Sequence, residues 1–275
     1  MGRLLIFQLF TQLAIGGAWT LLLVPLKEAG HSFFRLCGIL VAVLLAIAIW
    51  AGPYPMPGLS GLIDLQLQAW TETLILLSAV AMLAHVRAVV SGLLPWDRRF
   101  LYLSALAGAV ALVGDGLLLR PPQASFWWES LLLPTFYLAS SLFLGSICFT
   151  MILGHWYLVS PALSIRPFLR ATRLILGSLT AKIILFGAAL LLYSSLGDPV
   201  HQQTVRAFLG LSGLMFWARV LFGLIAPSIV CLMIWSTVKI RSTQSATGLL
   251  YVATVLVLIG ELLSKFLLLS TSMPI

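Results

Sequence analysis

The sequence predicts an all-α, polytopic membrane bundle of eight helices, and three observations predict it. Of its 275 residues 61% are hydrophobic and only 9% charged, with a mean hydropathy of +1.08. The apolar residues come in runs of about 20 or more, enough to cross a hydrocarbon core of about 30 Å at about 1.5 Å per residue. Short clusters of proline, glycine and charge separate the runs, and these are the residues that end helices.

Taken in order, the spans are 4–26, 32–51, 67–93, 99–119, 127–158, 169–196, 207–238 and 246–270. The breakers are Lys27-Glu28-Ala29-Gly30, Gly52-Pro53-Tyr54-Pro55-Met56-Pro57-Gly58, Pro95-Trp96-Asp97-Arg98-Arg99, Arg120-Pro121-Pro122, Pro161 to Pro167, Gly197-Asp198-Pro199 and Arg241-Ser242-Thr243-Gln244. The first run follows Arg3, exceeds an ordinary signal-peptide core and lacks a small-residue cleavage site, so it reads as a retained span. The longest loop, 52–66, is too short for a second domain, and 1–275 reads as a single transmembrane domain.

Ten cationic residues fall at alternate loops: Lys27, Arg35, Arg87, Arg98, Arg99, Arg166, Arg170, Arg173, Lys239 and Arg241. The opposite side has Arg3, Arg120 and Arg206. The positive-inside bias therefore predicts both termini outside, which in a bacterial inner membrane is the periplasm. Trp70, Trp96, Trp127 and Trp128 lie near span ends, where indole rings anchor at the interface.

The net charge of +8 is spread over loops, with no dense basic block or interleaved aromatic motif, so no nucleic-acid partner is expected. Cys37, Cys148 and Cys231 are far apart and form no paired motif, so no zinc, iron–sulfur or c-type haem centre is expected. With loops this short and no cofactor motif, electrons entering the chain have to pass to or from a partner.

The informative residues are charges inside the spans, each costing several kcal/mol or more unless paired or solvated. Glu261 and Lys265, four apart, share a helix face. Counted from the outer ends of their spans, Arg219 and Glu261 each lie about 15 Å deep, which predicts an ion pair between helices seven and eight. Lys265, one turn nearer the surface, is expected to snorkel, and Lys182 is the strongly polar group halfway along span six. Glu72 and Asp115 lie near the outer ends of spans three and four. With Glu261 they predict acids gathered toward one leaflet, placed to accept and pass on protons, although Asp115 beside Arg120 also reads as interfacial. His85 and His155 reach comparable depth in the inner leaflet, so a b-haem held by both is an alternative. A transporter or proton-conducting pathway lined by Asp115, Lys182, Arg219 and Glu261 is another, and a purely structural anchor a third.

Phe7-Gln8-Leu9-Phe10-Thr11-Gln12-Leu13-Ala14-Ile15-Gly16-Gly17 resembles the opening helix of the membrane-anchor subunit of dimethyl sulfoxide reductase, a family related to the polysulfide-reductase and nitrite-reductase anchors. In the same order, Pro134-Thr135-Phe136 with Phe143-Leu144-Gly145 resembles its fifth span, Met215 to Leu221 its seventh and Ile259 to Lys265 its eighth. The resemblance implies eight spans with periplasmic termini and no haem or metal in the subunit. It also implies quinol bound near the periplasmic leaflet, with electrons handed to an iron–sulfur subunit that serves a catalytic subunit. It puts Glu72 at the position of a third-span glutamate near the quinol, and Arg219 and Glu261 on charged motifs of spans seven and eight. Two stretches depart from the family: its histidine after span two has no counterpart in Trp50-Ala51-Gly52-Pro53-Tyr54-Pro55, and Gly154 to Val159 matches none of its features.

Overall fold

A computed structural model describes residues 2–52, 62–93, 95–119, 127–160, 163–210 and 213–275. Pro53 to Gly58, Arg120-Pro121-Pro122 and Pro161 lie outside them. The described residues form ten α-helices and one π turn, with no strand among them. Six spans are single helices: α1 Gly2–Leu22, α2 Leu26–Ala51, α3 Leu62–Ser91, α4 Trp96–Leu118, α5 Glu129–Val159 and α6 Arg166–Ser195. A short α7, Pro199–Leu209, then precedes a span made of α8 Leu214–Val220, the π turn Leu221–Ile225 and α9 Ala226–Lys239. The last span is α10, Thr243–Thr271. Eight segments are long and apolar enough to cross a membrane, in agreement with the sequence.

Local chemistry sets the breaks. Gly30, with φ of 81°, interrupts α2 after one turn, where the sequence places a breaker between spans one and two. The predicted seventh span, 207–238, is divided: α7 stops at Leu209 and Gly213 starts α8, so the membrane helix begins at Leu214. Pro227 removes the N–H that Gly223 C=O would otherwise receive, and the turn before it widens until Ala226 N–H bonds Leu221 C=O.

The helices pack as two groups of four. In the first, α1 lies against α2 and α4, and α3 against the same two. In the second, α5 lies against α6 and α10, and α9 against the same two. The groups join through α5, which packs on α1 and α4. This is the neighbour-to-neighbour arrangement that short loops impose on antiparallel helices.

The surface is apolar and much of the polar chemistry is inside, the inverse of a soluble domain. Leu106, Leu191 and Leu232 are more than 60% exposed, whereas Gln8, Gln12, Lys182, Arg219, Glu261 and Lys265 are buried. Buried hydroxyls knit the helices: Ser78 and Ser104 each donate to the other's carbonyl at 2.9 Å, clasping α3 to α4. Arg98 donates to the carbonyls of Leu22 at 3.1 Å and Val24 at 2.7 Å, satisfying acceptors left at the end of α1. Trp70, Trp96 and Trp127 are exposed as the interfacial reading expects. Trp128 instead turns inward against Tyr193, ring centroids 4.9 Å apart.

Candidate functional site

Two places in the bundle concentrate polar chemistry. The first is a cleft of about 470 Å3 among α1, α2 and α3, close to the end that carries Gly2. Phe7, Ile49, Ile75 and Leu76 supply apolar wall, and Glu72 and Thr73 supply polar groups. Glu72 is exposed, with Gln68 donating to one carboxylate oxygen at 2.9 Å.

Behind Glu72 stands Asp115. Gly114 gives α4 room to press on Thr71 of α3, and Gly116 lies against the Pro134 backbone of α5. Asp115 is therefore held between helices, 5% exposed, an electrostatic neighbour of both Glu72 and the buried Tyr137. It is enclosed by protein, a burial the sequence did not indicate, because three small residues, Gly108, Gly114 and Gly116, let α4 sink between its neighbours.

The second place is a buried charge cluster in the other group of helices. Lys182 on α6 forms an ion pair with Glu261 on α10, and its Nζ donates to Ser140 Oγ on α5 at 2.8 Å. Lys265 Nζ holds the other Glu261 oxygen at 3.0 Å. All four groups are at most 3% exposed. Removing the Ser140 hydroxyl strips a charge-assisted bond, so Ser140→Ala is expected to lower stability by about 1.5–3 kcal/mol. A reduced thermal unfolding midpoint in detergent checks this.

This geometry corrects two expectations. Glu261 pairs with Lys182 and Lys265, not with Arg219, and Lys265 does not snorkel. The depth count fails because it started span seven at 207, whereas the helix starts at Leu214. That leaves Arg219 about 8 Å along its helix, roughly half the depth assigned from the sequence. Its guanidinium packs on Gly223 and over the Phe186 ring, 5.9 Å from the centroid. The predicted acid cluster also divides: Glu72 and Asp115 come together beside Tyr137, while Glu261 is held by its lysines beside Ser140, one turn further along α5.

The two histidines sit in different surroundings. His85 is fully buried, its Nδ1 2.7 Å from the Asp97 carbonyl and its ring against Phe34. His155 is exposed, 3.3 Å from the Tyr251 hydroxyl on α10. Among the described residues no cluster of His, Cys, Asp or Glu is built to hold a metal ion.

Ser140 and Tyr137 were not visible as site residues, since a hydroxyl in an apolar run is ordinary. The signal available was the i, i+3 spacing that puts both on one face of α5. Fold and site together define a polytopic helical membrane protein with an acid-bearing surface cleft and a separate buried ion cluster. Searches with protein-family models and against curated proteins match nothing to this chain.

Proposed function

We propose that this chain is the quinol-reactive membrane anchor of a multi-subunit oxidoreductase, seated in a bacterial inner membrane with both termini periplasmic. The observation that carries the reading is the Glu72 carboxylate in the wall of a surface cleft of about 470 Å3, a volume within the range of small-molecule sites. The apolar wall of Phe7, Ile49, Ile75 and Leu76 suits a quinone ring, and the opening between helices suits entry from lipid.

Quinol oxidation releases two protons and two electrons. Glu72 accepts a proton from one quinol hydroxyl, with Gln68 holding the carboxylate in place, and the proton of the second hydroxyl leaves to water at the mouth of the cleft. Asp115, next inward, is positioned to share that proton. The electrons leave to an iron–sulfur centre of a partner subunit docked at the same end, and from there to a catalytic subunit. The concentration of Lys27, Arg98, Arg99, Arg166, Lys239 and Arg241 at the opposite end supports the orientation.

Glu72→Gln keeps the size of the side chain and removes the base. It is expected to cut quinol-dependent turnover of the purified complex at least tenfold, while turnover with a soluble reductant that bypasses quinol stays unchanged. Intact quinol-dependent turnover overturns the assignment of the base.

A further inference from the structure

The two ends of the bundle differ in charge. The loops and helix ends away from Gly2 carry ten lysines and arginines against two carboxylates, Glu28 and Asp97. Both carboxylates turn inward: Asp97 is 1% exposed and Glu28 Oε2 is buried. The surface of that end is therefore cationic.

One place on it is concave. A cavity of about 350 Å3 opens between the start of α2 and the end of α3, lined by His31, Ser32, Arg35, Val89, Val90 and Gly92. Gly30 breaks α2, and the helix restarts so that His31, Ser32 and Arg35 share one face. Gly92, with φ of 67°, turns the chain off α3, and nothing lies within 4 Å of its side-chain position, so the mouth stays open. Deeper in the bundle Gly38 takes the Val86 side chain and brings α2 onto α3, so the two helices part only toward their ends.

The polar groups of the cavity are free to bind. His31, Ser32 and Arg35 are exposed, and among the described residues no hydrogen bond or ion pair engages their side chains. Arg87 stands beside the mouth, its Nη1 donating to Ser91 Oγ at 3.1 Å. Beneath this polar lip the surface is apolar: Leu36, Ile39 and Val43 are exposed along the face of α2 that carries Ser32, and Val80, Leu83 and Val90 along one face of α3.

A phosphate carried on acyl chains matches this arrangement. A guanidinium holds phosphate oxygens in pairs, the imidazole and hydroxyl add donors, and the chains lie on the apolar surface below. Basic pockets between membrane helices hold lipid headgroups in this way. A zwitterionic headgroup would bring an ammonium into a site already cationic, so the charge favours a lipid of net negative charge.

We propose that the cavity of His31, Ser32 and Arg35 binds the phosphate of an anionic phospholipid, with its acyl chains laid along α2 and α3. The site is at the opposite end of the bundle from the Glu72 cleft and does not depend on quinol chemistry.

The full chain, purified in mild detergent with any subunits that accompany it and stripped of lipid, is titrated with phosphatidylglycerol, with phosphatidylcholine of the same acyl chains, and with inorganic phosphate. Phosphatidylglycerol is expected to raise the unfolding midpoint saturably, by several degrees more than phosphatidylcholine, and phosphate alone to leave it unchanged. Arg35→Gln, which keeps its fold because the side chain is exposed, is expected to remove the advantage of phosphatidylglycerol. Arg173→Gln, at an exposed arginine of the same end that lies over Trp235, is expected to keep it. Equal effects of the two lipids, or an advantage that survives Arg35→Gln, overturn the proposal. Loss of the advantage in both variants overturns it as well, because bulk charge and not the cavity then holds the lipid. A shift reproduced by phosphate alone assigns the cavity to a soluble anion and overturns the lipid.

Discussion

Replacing Glu261 with alanine is expected to destabilise the protein by about 3–5 kcal/mol, the cost of breaking a buried ion pair by removing one partner. Two ammonium groups lose their carboxylate at once. Lys182 keeps the Ser140 hydroxyl as an acceptor, and among the described residues no further hydrogen bond holds Lys265. Neither lysine reaches water, since both are at most 3% exposed. Glu261→Gln, which keeps the volume and one acceptor oxygen, is expected to fall between wild type and alanine. Adding Lys182→Met to Glu261→Ala is expected to recover part of the loss, because the second change removes a charge the first left stranded. Thermal unfolding of the four proteins in one detergent measures the series. An alanine variant that unfolds at the wild-type midpoint would show that the cluster contributes nothing to holding α6 against α10.

The same cluster marks where the sequence stops being legible. The spans are readable because hydrocarbon thickness sets their length, and the structure gives eight apolar segments at the expected places, with only the starts of the second, at 26 and not 32, and the seventh, at 214 and not 207, displaced by more than four residues. Which helix faces which is a different question, decided by contacts far apart in the chain. Lys182 read as an isolated group on span six because its partners are Ser140 on α5 and Glu261 on α10. Arg219 read as the partner of Glu261 because the apolar run continues backward through Ala207 and Leu209, hiding the break at Gly210 and Gly213. Depth counted along a helix is only as good as the point where the helix starts.

The cleft at Glu72 was more accessible to sequence reasoning. A glutamate a few residues inside a span end is costly to place, so its presence alone flags the position. Its neighbour Asp115 looked interfacial because the next visible charge was Arg120. What encloses it are the contacts of Gly114 with Thr71 and of Gly116 with Pro134, and small residues in an apolar run do not announce which helix they will meet. The structure adds to that flag only the shape around it, a cleft with Glu72 in its wall.

Gly145→Val is expected to have a still larger effect, because it strikes the seam that joins the two helix groups. A side-chain carbon at Gly145 would overlap the backbone of Gly16 and Gly17, and one at Gly16 would overlap the Ser141 carbonyl. Gly17 in turn takes the ring of Phe149, while Ser141 Oγ donates to the Gln12 carbonyl at 2.7 Å across the same seam. Without water to drive apolar surfaces together, membrane helices gain their association from this kind of close backbone approach. Ordinary overpacking costs about 1–3 kcal/mol because side chains can shift. Here two main chains have to separate, so the loss exceeds that range and the protein is expected to lose its monodisperse peak in size-exclusion chromatography at ambient temperature. Gly177→Val on α6 is the matched control: nothing lies within 4 Å of its side-chain position, so the variant is expected to behave as wild type. If Gly145→Val and Gly177→Val both elute and unfold as wild type, α1 and α5 do not meet through these glycines, and the two groups of four are joined some other way.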